Sequence, residues 1–196
     1  SLPYIRAVSD PAVQALATGC PNLTFLHVQG CTAVKNEAIK TLGLGACADG
    51  LLDVNIANVG RFSGEAMGTL LRGCTRLRYL NASNNSGIVD SVFAELELPP
   101  AYPGGSPTPI MLPNLERLSI ACTGLSSFGV ACMAERCVNL VHLDISEHKH
   151  ITNACLSVIA GCCRRLKSLW LNDCPALTDH GVLEIAYNCK WLEVLH

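Results

Sequence analysis

Apolar residues along the chain fall into one recurring figure, L-x-x-L-x-L, followed by a polar or cysteine position and then an amphipathic run. The first leucines of the figure are Leu2, Leu23, Leu51, Leu77, Leu115, Leu140, Leu166 and Leu192, separated by 21, 28, 26, 38, 25, 26 and 26 residues. The core of each figure, as in Leu169–Leu171 or Leu143–Ile145, alternates with period two, which predicts a short strand with one face buried. Beyond the strand the apolar spacing becomes helical. In the last complete unit Leu177, Val182, Leu183, Ile185 and Ala186 fall on one helix face. Thr178 and Asp179 stand at the start of that helix, where their side chains are expected to accept from its orphan N–H groups. Residues 151–153 and 62–64 occupy the same place in their units. Each unit is thus a strand plus a helix. One unit cannot bury both its faces, so a step near 26 residues, repeated about seven times, predicts a stacked solenoid.

Cysteine follows the same period. Cys20, Cys47, Cys74, Cys137, Cys163 and Cys189 recur at helix ends, and Cys31 and Cys174 close strand segments where Val59, Asn85, Thr123 and His148 stand in other units. A position that also takes valine or threonine reads as a packing site filled by a small apolar thiol. A metal ligand is not exchanged so freely, and no metal site is expected. Cys162 and Cys163 are adjacent, and helix neighbours do not face each other. Thiols kept free in such number imply a reducing compartment.

The best units read CRRLKSLWLNDCPALTDHGVLEIAYNC and CPNLTFLHVQGCTAVKNEAIKTLGLGAC. The pattern C-x-x-L-x-x-L-x-L-x-x-C, followed by L-T-D-x-G, resembles the cysteine-containing class of leucine-rich repeats found in F-box/leucine-rich-repeat proteins. The resemblance covers nearly the whole chain. It implies an α/β fold: a right-handed horseshoe with parallel strands on the concave face and helices on the convex face. The chain is then a single domain over 1–196, open at both ends. The resemblance also implies substrate recognition in an F-box ubiquitin ligase, with catalysis by other subunits. A Skp-type adaptor is then bound through an F-box segment that nothing in this chain resembles. A structural subunit of a large assembly, such as a ciliary axoneme or an organellar complex, is the alternative.

The 38-residue step exceeds the usual one by 12, and the excess lies in LELPPAYPGGSPTPIMLP, residues 96–113, which hold six of the ten prolines. So much proline excludes helix. Residues 97–111 are expected to form a loop insertion dispensable for folding. The segment at 100–103 has the minimal P-x-x-P form of a polyproline ligand. The run His148–Lys149–His150 is expected in a solvated turn, since two imidazoles fall short of the four ligands zinc takes.

Composition narrows function further. Lys plus Arg is 14 against 16 for Asp plus Glu, a net charge of −2 that offers no attraction for nucleic acid or an anionic membrane. Charged residues are only 15% and hydrophobic ones 49%, which suggests apolar surface that meets a partner. No apolar run is long enough to span a bilayer, no secretory signal is readable, and the first residue is Ser, as in a fragment or processed form. Dinucleotide, P-loop, nucleophile-elbow and zinc-protease motifs are lacking, so neither a cofactor nor enzymatic activity is expected. The expected compartment is intracellular: cytoplasm, nucleus or cilium, with an organelle also open.

The working surface expected from period two is the strand face, where residues flanking the buried leucines point outward. The first column holds Tyr4, Phe25, Asp53, Tyr79, Arg117, His142, Ser168 and Val194. The second holds Arg6, His27, Asn55, Asn81, Ser119, Asp144, Trp170 and His196, and the third Val8, Gln29, Ala57, Ser83, Ala121, Ser146 and Asn172. Aromatic and arginine side chains dominate protein-binding hot spots. The mixed charges, Arg6 and Arg117 against Asp53 and Asp144, point to a protein partner rather than nucleic acid.

Overall fold

The computed structural model describes residues 8–98 and 107–196. Tyr4, Arg6 and the P-x-x-P segment lie outside the described residues. Strands and helices alternate along the chain: α1 (Asp10–Gly19), β1 (Phe25–His27), α2 (Asn36–Leu44), a 3-10 turn at Ala48–Gly50, β2 (Asp53–Asn55), α3 (Gly64–Gly73) and β3 (Tyr79–Asn81). After the short α4 (Ser91–Ala94) come β4 (Glu97–Leu98) and β5 (Thr108–Pro109). The remaining elements are β6 (Arg117–Ser119), α5 (Ser127–Arg136), β7 (His142–Asp144), α6 (Asn153–Cys162), β8 (Ser168–Trp170), α7 (Asp179–Asn188) and β9 (Val194–Leu195).

Among the described residues, seven strands form one parallel sheet in the order β1-β2-β3-β6-β7-β8-β9, while β4 and β5 pair antiparallel apart from it. The register is uniform: Leu26, Val54, Leu80, Leu118, Leu143, Leu169 and Leu195 are successive partners. Each strand turns its middle residue inward against the helices, and the first six of these residues are buried. Stacked helices close the other side, α1 on α2, α2 on α3, and so on to α7. Helices α2 and α3 approach so closely that a Cβ on Gly43 or Gly73 would strike backbone of the other helix.

One residue after each strand is left-handed: Gly30, Asn58, Asn84, Cys122, Glu147 and Asp173. Glycine, asparagine and aspartate suit that conformation, whereas Cys122 and Glu147 adopt it against their preference. What holds it is the ladder. The N–H of Asn84 donates to Ala121 O at 2.9 Å, that of Cys122 to Ser146 O at 3.0 Å, and that of Glu147 to Asn172 O at 2.7 Å. Each unit thus extends its pairing to the next beyond the strand before turning toward the helix.

The cysteine columns are buried as packing predicts, with Cys20 the exposed exception. Cys74, Cys137, Cys163 and Cys189 are the C-cap residues of their helices. Their thiols reach back one unit. Cys74 Sγ donates to Leu42 O at 3.6 Å, and Cys163 Sγ to Cys137 O at 3.6 Å. Burial pushes the Cys74 and Cys163 thiols up to about 12 from an ordinary 9.0.

Three sequence expectations need correction. Thr178 makes no cap to its own helix; its Oγ1 instead accepts from Asn153 Nδ2 of the preceding unit at 2.7 Å. Stacking brings the neighbouring unit's polar groups within reach. The apolar stripe of α7 is only part core: Ile185 is buried against the stack, which α7 joins through α6, but Val182, Leu183 and Ala186 are exposed. His148 is not in a solvated turn. It is buried in the cysteine column, its Nδ1 3.0 Å from Ile145 O and its Nε2 2.9 Å from Thr123 Oγ1. Lys149 and His150 beside it are exposed.

The proline-rich excess emerges from the fourth unit. Its described ends pair, Glu97 with Pro109 and Leu98 with Thr108, and Ile110 N donates to Leu96 O at 2.9 Å.

Candidate partner-binding face

The residues on either side of each buried strand centre form the outer surface of the sheet. In the first column Phe25 and Arg117 are exposed, and Asp53, Tyr79 and His142 half-buried. In the second, His27, Asn55, Asn81, Asp144 and Trp170 are all half-buried. Ser168, from the first column, is buried instead, as are Ser83, Ala121 and Ser146 of a third column two residues further along each strand.

Toward β1, His27 Nε2 lies 2.7 Å from Asp53 Oδ1, and the His27 ring meets Tyr79 edge-on at 6.4 Å. His27 and Tyr79 sit on strands separated by β2, so Asp53 holds the imidazole while Tyr79 packs across it. Phe25, 59% exposed, flanks them. This cluster borders a groove of about 540 Å³ that runs on to Arg78, Glu116 and Arg117.

Toward β9, a second groove of about 470 Å³ lies among Tyr79, Arg117, Ser119, His142, Asp144 and Trp170. Tyr79 and Arg117 belong to both grooves, so the two grooves form one continuous surface. Its floor is a relay of short hydrogen bonds. Ser83 Oγ meets Ser119 Oγ at 2.7 Å, and Ser119 Oγ donates to Asp144 Oδ2 at 3.1 Å. Asn55, Asn81 and Asp144 each accept, through Oδ1, from the N–H two residues on, at 3.1, 3.1 and 3.0 Å, which pins their rotamers. Trp170 stacks flat on His196, with centroids 6.3 Å apart and planes within 4°. Burial and the Arg117 guanidinium hold the His142 imidazole below its ordinary 6.5.

The serines of the floor stand in the second and third columns of the sequence pattern but are not singled out by it as site residues. Their signal is a small polar residue two places beyond the second column in adjacent units, Ser83 and Ser146, with Ser119 replacing a larger residue in the second column itself. Among the described residues, no group of three or more His, Cys, Asp or Glu side chains could hold a metal ion, and no helix is long and apolar enough to cross a membrane.

One short parallel strand per strand–helix unit, over columns of leucine and cysteine, is an α/β arrangement consistent with a leucine-rich-repeat solenoid. No family model matches the chain. Three of the curated proteins it is similar to are named as F-box proteins. The chain is 25% identical over 222 residues to F-box protein MAX2 homolog A of Petunia hybrida, covering 96% of this chain and 30% of that protein. It is 24% identical to the F-box/LRR-repeat MAX2 homolog of Oryza sativa subsp. japonica, over 98% of this chain and 24% of that protein. It is 21% identical to F-box/LRR-repeat protein 4 of Bos taurus, over 98% and 30%. The chain therefore spans less than a third of the length of these relatives. Among solved structures it is similar to the Rad7 and Elc1 complex of yeast, with a TM-score of 0.37 and 14% identity, over 95% of this chain and 66% of that one.

Proposed function

We propose that this chain is the substrate-recognition region of an F-box-type ubiquitin-ligase adaptor. It receives a protein partner on the strand face, read as the concave side of the repeat stack, while other subunits carry out the chemistry. The observation that carries the reading is the continuous surface from Phe25 to Trp170. Seven strands in register present aromatic anchors among pinned polar groups, opposite the helices. Large aromatics half-exposed on a rigid face gain burial energy only when a partner covers them, about 25 cal/mol per Å². The F-box names of the relatives support the ligase setting. In this reading a Skp-type adaptor is bound by a segment not in this chain, and the protein works in a reducing intracellular compartment.

The test uses the full-length protein. Trp170→Ala and Tyr79→Ala are expected to leave ligase subunits bound and to lose the proteins whose turnover depends on the wild type. The reading fails if no ligase subunit co-purifies with the full-length protein, or if both variants keep every substrate.

A further inference from the structure

The groove between Tyr79 and Trp170 is unbalanced in its hydrogen-bonding groups. The acceptors around Arg117 are engaged internally, while the Asn172 side chain at the far end of the groove uses only its amide N–H, toward Ser146 Oγ. Asp144 accepts through Oδ1 from Ser146 N and through Oδ2 from Ser119 Oγ, and Asn81 Oδ1 accepts from Ser83 N. The donors around Arg117 are not engaged. Among the described residues, the Arg117 guanidinium, the Asn81 amide N–H groups, the Tyr79 hydroxyl and the Trp170 indole N–H have no hydrogen-bond partner. Of the nearby carboxylates, Asp144 lines the same groove but is turned to Ser119 and Ser146 and makes no ion pair with Arg117, and the other two belong to other cations. Glu116 Oε1 pairs with Arg78 at 2.8 Å, and Glu193 Oε1 with Lys167 at 2.6 Å.

Open donors around an unpaired guanidinium, with the adjacent Asp144 and Asn81 oxygens already engaged, favour an anionic acceptor at Arg117. We infer that it seats an aspartate or glutamate carboxylate, on the Arg117 guanidinium, from an extended segment of a partner protein. This deepens the strand-face reading and rests on it. A single guanidinium matches a carboxylate in charge and fork geometry. A phosphate dianion would keep an excess charge here, because His142 beside Arg117 is held toward its neutral form. The aromatic walls set the spacing. Tyr79 on β3 and Trp170 on β8 are three strand steps apart, about 14 Å at roughly 4.8 Å per step. An extended segment covers that in about four residues, at about 3.3 Å each. Side chains at i, i+2 and i+4 share one side of such a segment. The fitting pattern is therefore apolar–x–acidic–x–apolar, with the acid over Arg117 and the apolar groups against Tyr79 and Trp170.

The probe is the capped heptapeptide Gly-Leu-Ser-Asp-Ser-Leu-Gly, compared with versions carrying Asn or phosphoserine in place of its Asp. Binding is followed by NMR at the Trp170 indole N–H, assigned with Trp170→Phe, and at the His142 ring. The Asp peptide is expected to shift both and to raise the His142 titration midpoint. The Asn peptide should bind about tenfold more weakly, the loss typical of one charge-assisted contact. Arg117→Gln should erase the difference between the two peptides, and Arg117→Lys should restore part of it. Equal binding of the Asp and Asn peptides overturns the proposal, as does tighter binding of the phosphoserine peptide. In the full-length protein, loss of substrate with Trp170→Ala but not with Arg117→Gln would retain the strand-face reading and sink the carboxylate. Substrate binding that survives both variants would sink both.

Discussion

Asn153, the first residue of α6, grips Thr178, the cap position of α7. Its Oδ1 accepts from Thr178 N at 3.1 Å, and its Nδ2 donates to Thr178 Oγ1 at 2.7 Å. The same device joins other units. Asp10 Oδ1 accepts from Lys35 N at 2.6 Å, Asn36 Oδ1 from Ser63 N at 2.6 Å, and Asp90 Oδ1 from Ser126 N at 2.8 Å. Ser127 Oγ accepts from Thr152 N at 2.7 Å. A polar residue at one helix start thus fixes the entry of the chain into the next.

Asn153→Ala removes both bonds and should cost about 0.5–1.5 kcal/mol in denaturant unfolding, since the pair is exposed and water replaces part of the loss. Asn153→Asp should be close to neutral. The Asp90–Ser126 pair already uses that chemistry, with Ser126 Oγ donating to Asp90 Oδ2 at 2.6 Å. An aspartate variant as unstable as the alanine variant would show that the amide N–H, not the acceptor, carries the contact.

Gly73 and Gly19 both immediately precede a helix-ending cysteine, yet they should respond oppositely to alanine. A Cβ on Gly73 runs into the Gly43 carbonyl, backbone that cannot yield, while one on Gly19 meets nothing within 4 Å. Gly73→Ala should cost about 1–3 kcal/mol or more. Gly19→Ala should be neutral or stabilising by up to about 1 kcal/mol, through helix propensity. Thermal unfolding of the two variants side by side decides.

Burial raises the Cys74 and Cys163 thiols in the folded state, so the folded chain holds protons that the unfolded chain releases. Their contribution is intact below pH 9.0 and is lost as pH rises from there toward about 12. The thermal midpoint should therefore fall with rising pH above 9.0, and Cys163→Ala should soften that slope. In the native protein at pH 8 a disulfide reagent should modify the exposed Cys20 first, with Cys74 and Cys163 reacting only on unfolding. Prompt native modification of Cys163 would contradict the packing described.

Leu169 and Trp170 are neighbours on β8 with opposite fates, one fully buried and one on the open face. Leu169→Ala should cost about 2–5 kcal/mol in stability. Trp170→Ala should leave the thermal midpoint nearly unchanged while weakening a partner complex by about 1–3 kcal/mol. The reverse result would mean that the strand register is shifted by one residue.

Replacing residues 99–107 with Asn-Gly would close the β4–β5 pair as a two-residue hairpin. Stability is expected to stay within about 1 kcal/mol, as for other surface-loop changes. A larger loss, read by denaturant unfolding, would show that the removed residues pack on the repeats.

Much of this architecture was determined by the sequence alone. A leucine at every second strand position can be satisfied only with one face buried, and a step near 26 residues leaves room for one strand and one helix. The strand centres from Leu26 to Leu169, the buried thiols of Cys74 and Cys163, and the outward set of Phe25, Tyr79 and Trp170 all derive from that period. Only the tertiary structure decided which units' side chains meet. Thr178 lies 25 residues from Asn153, so its choice between its own helix and the previous one depends on how closely the units stack. His148 looked like a turn residue beside Lys149 and His150, yet stacking placed it opposite Thr123 and gave both its nitrogens partners. The groove likewise has no local signature. Tyr79 and Trp170 belong to strands far apart in sequence, and uniform register, carried past the 38-residue step by the pairing of β3 with β6, aligned them on one surface. Period sets whether a side chain faces in or out. Contacts across 25 residues or more depend on the distance between stacked backbones, which no local pattern encodes.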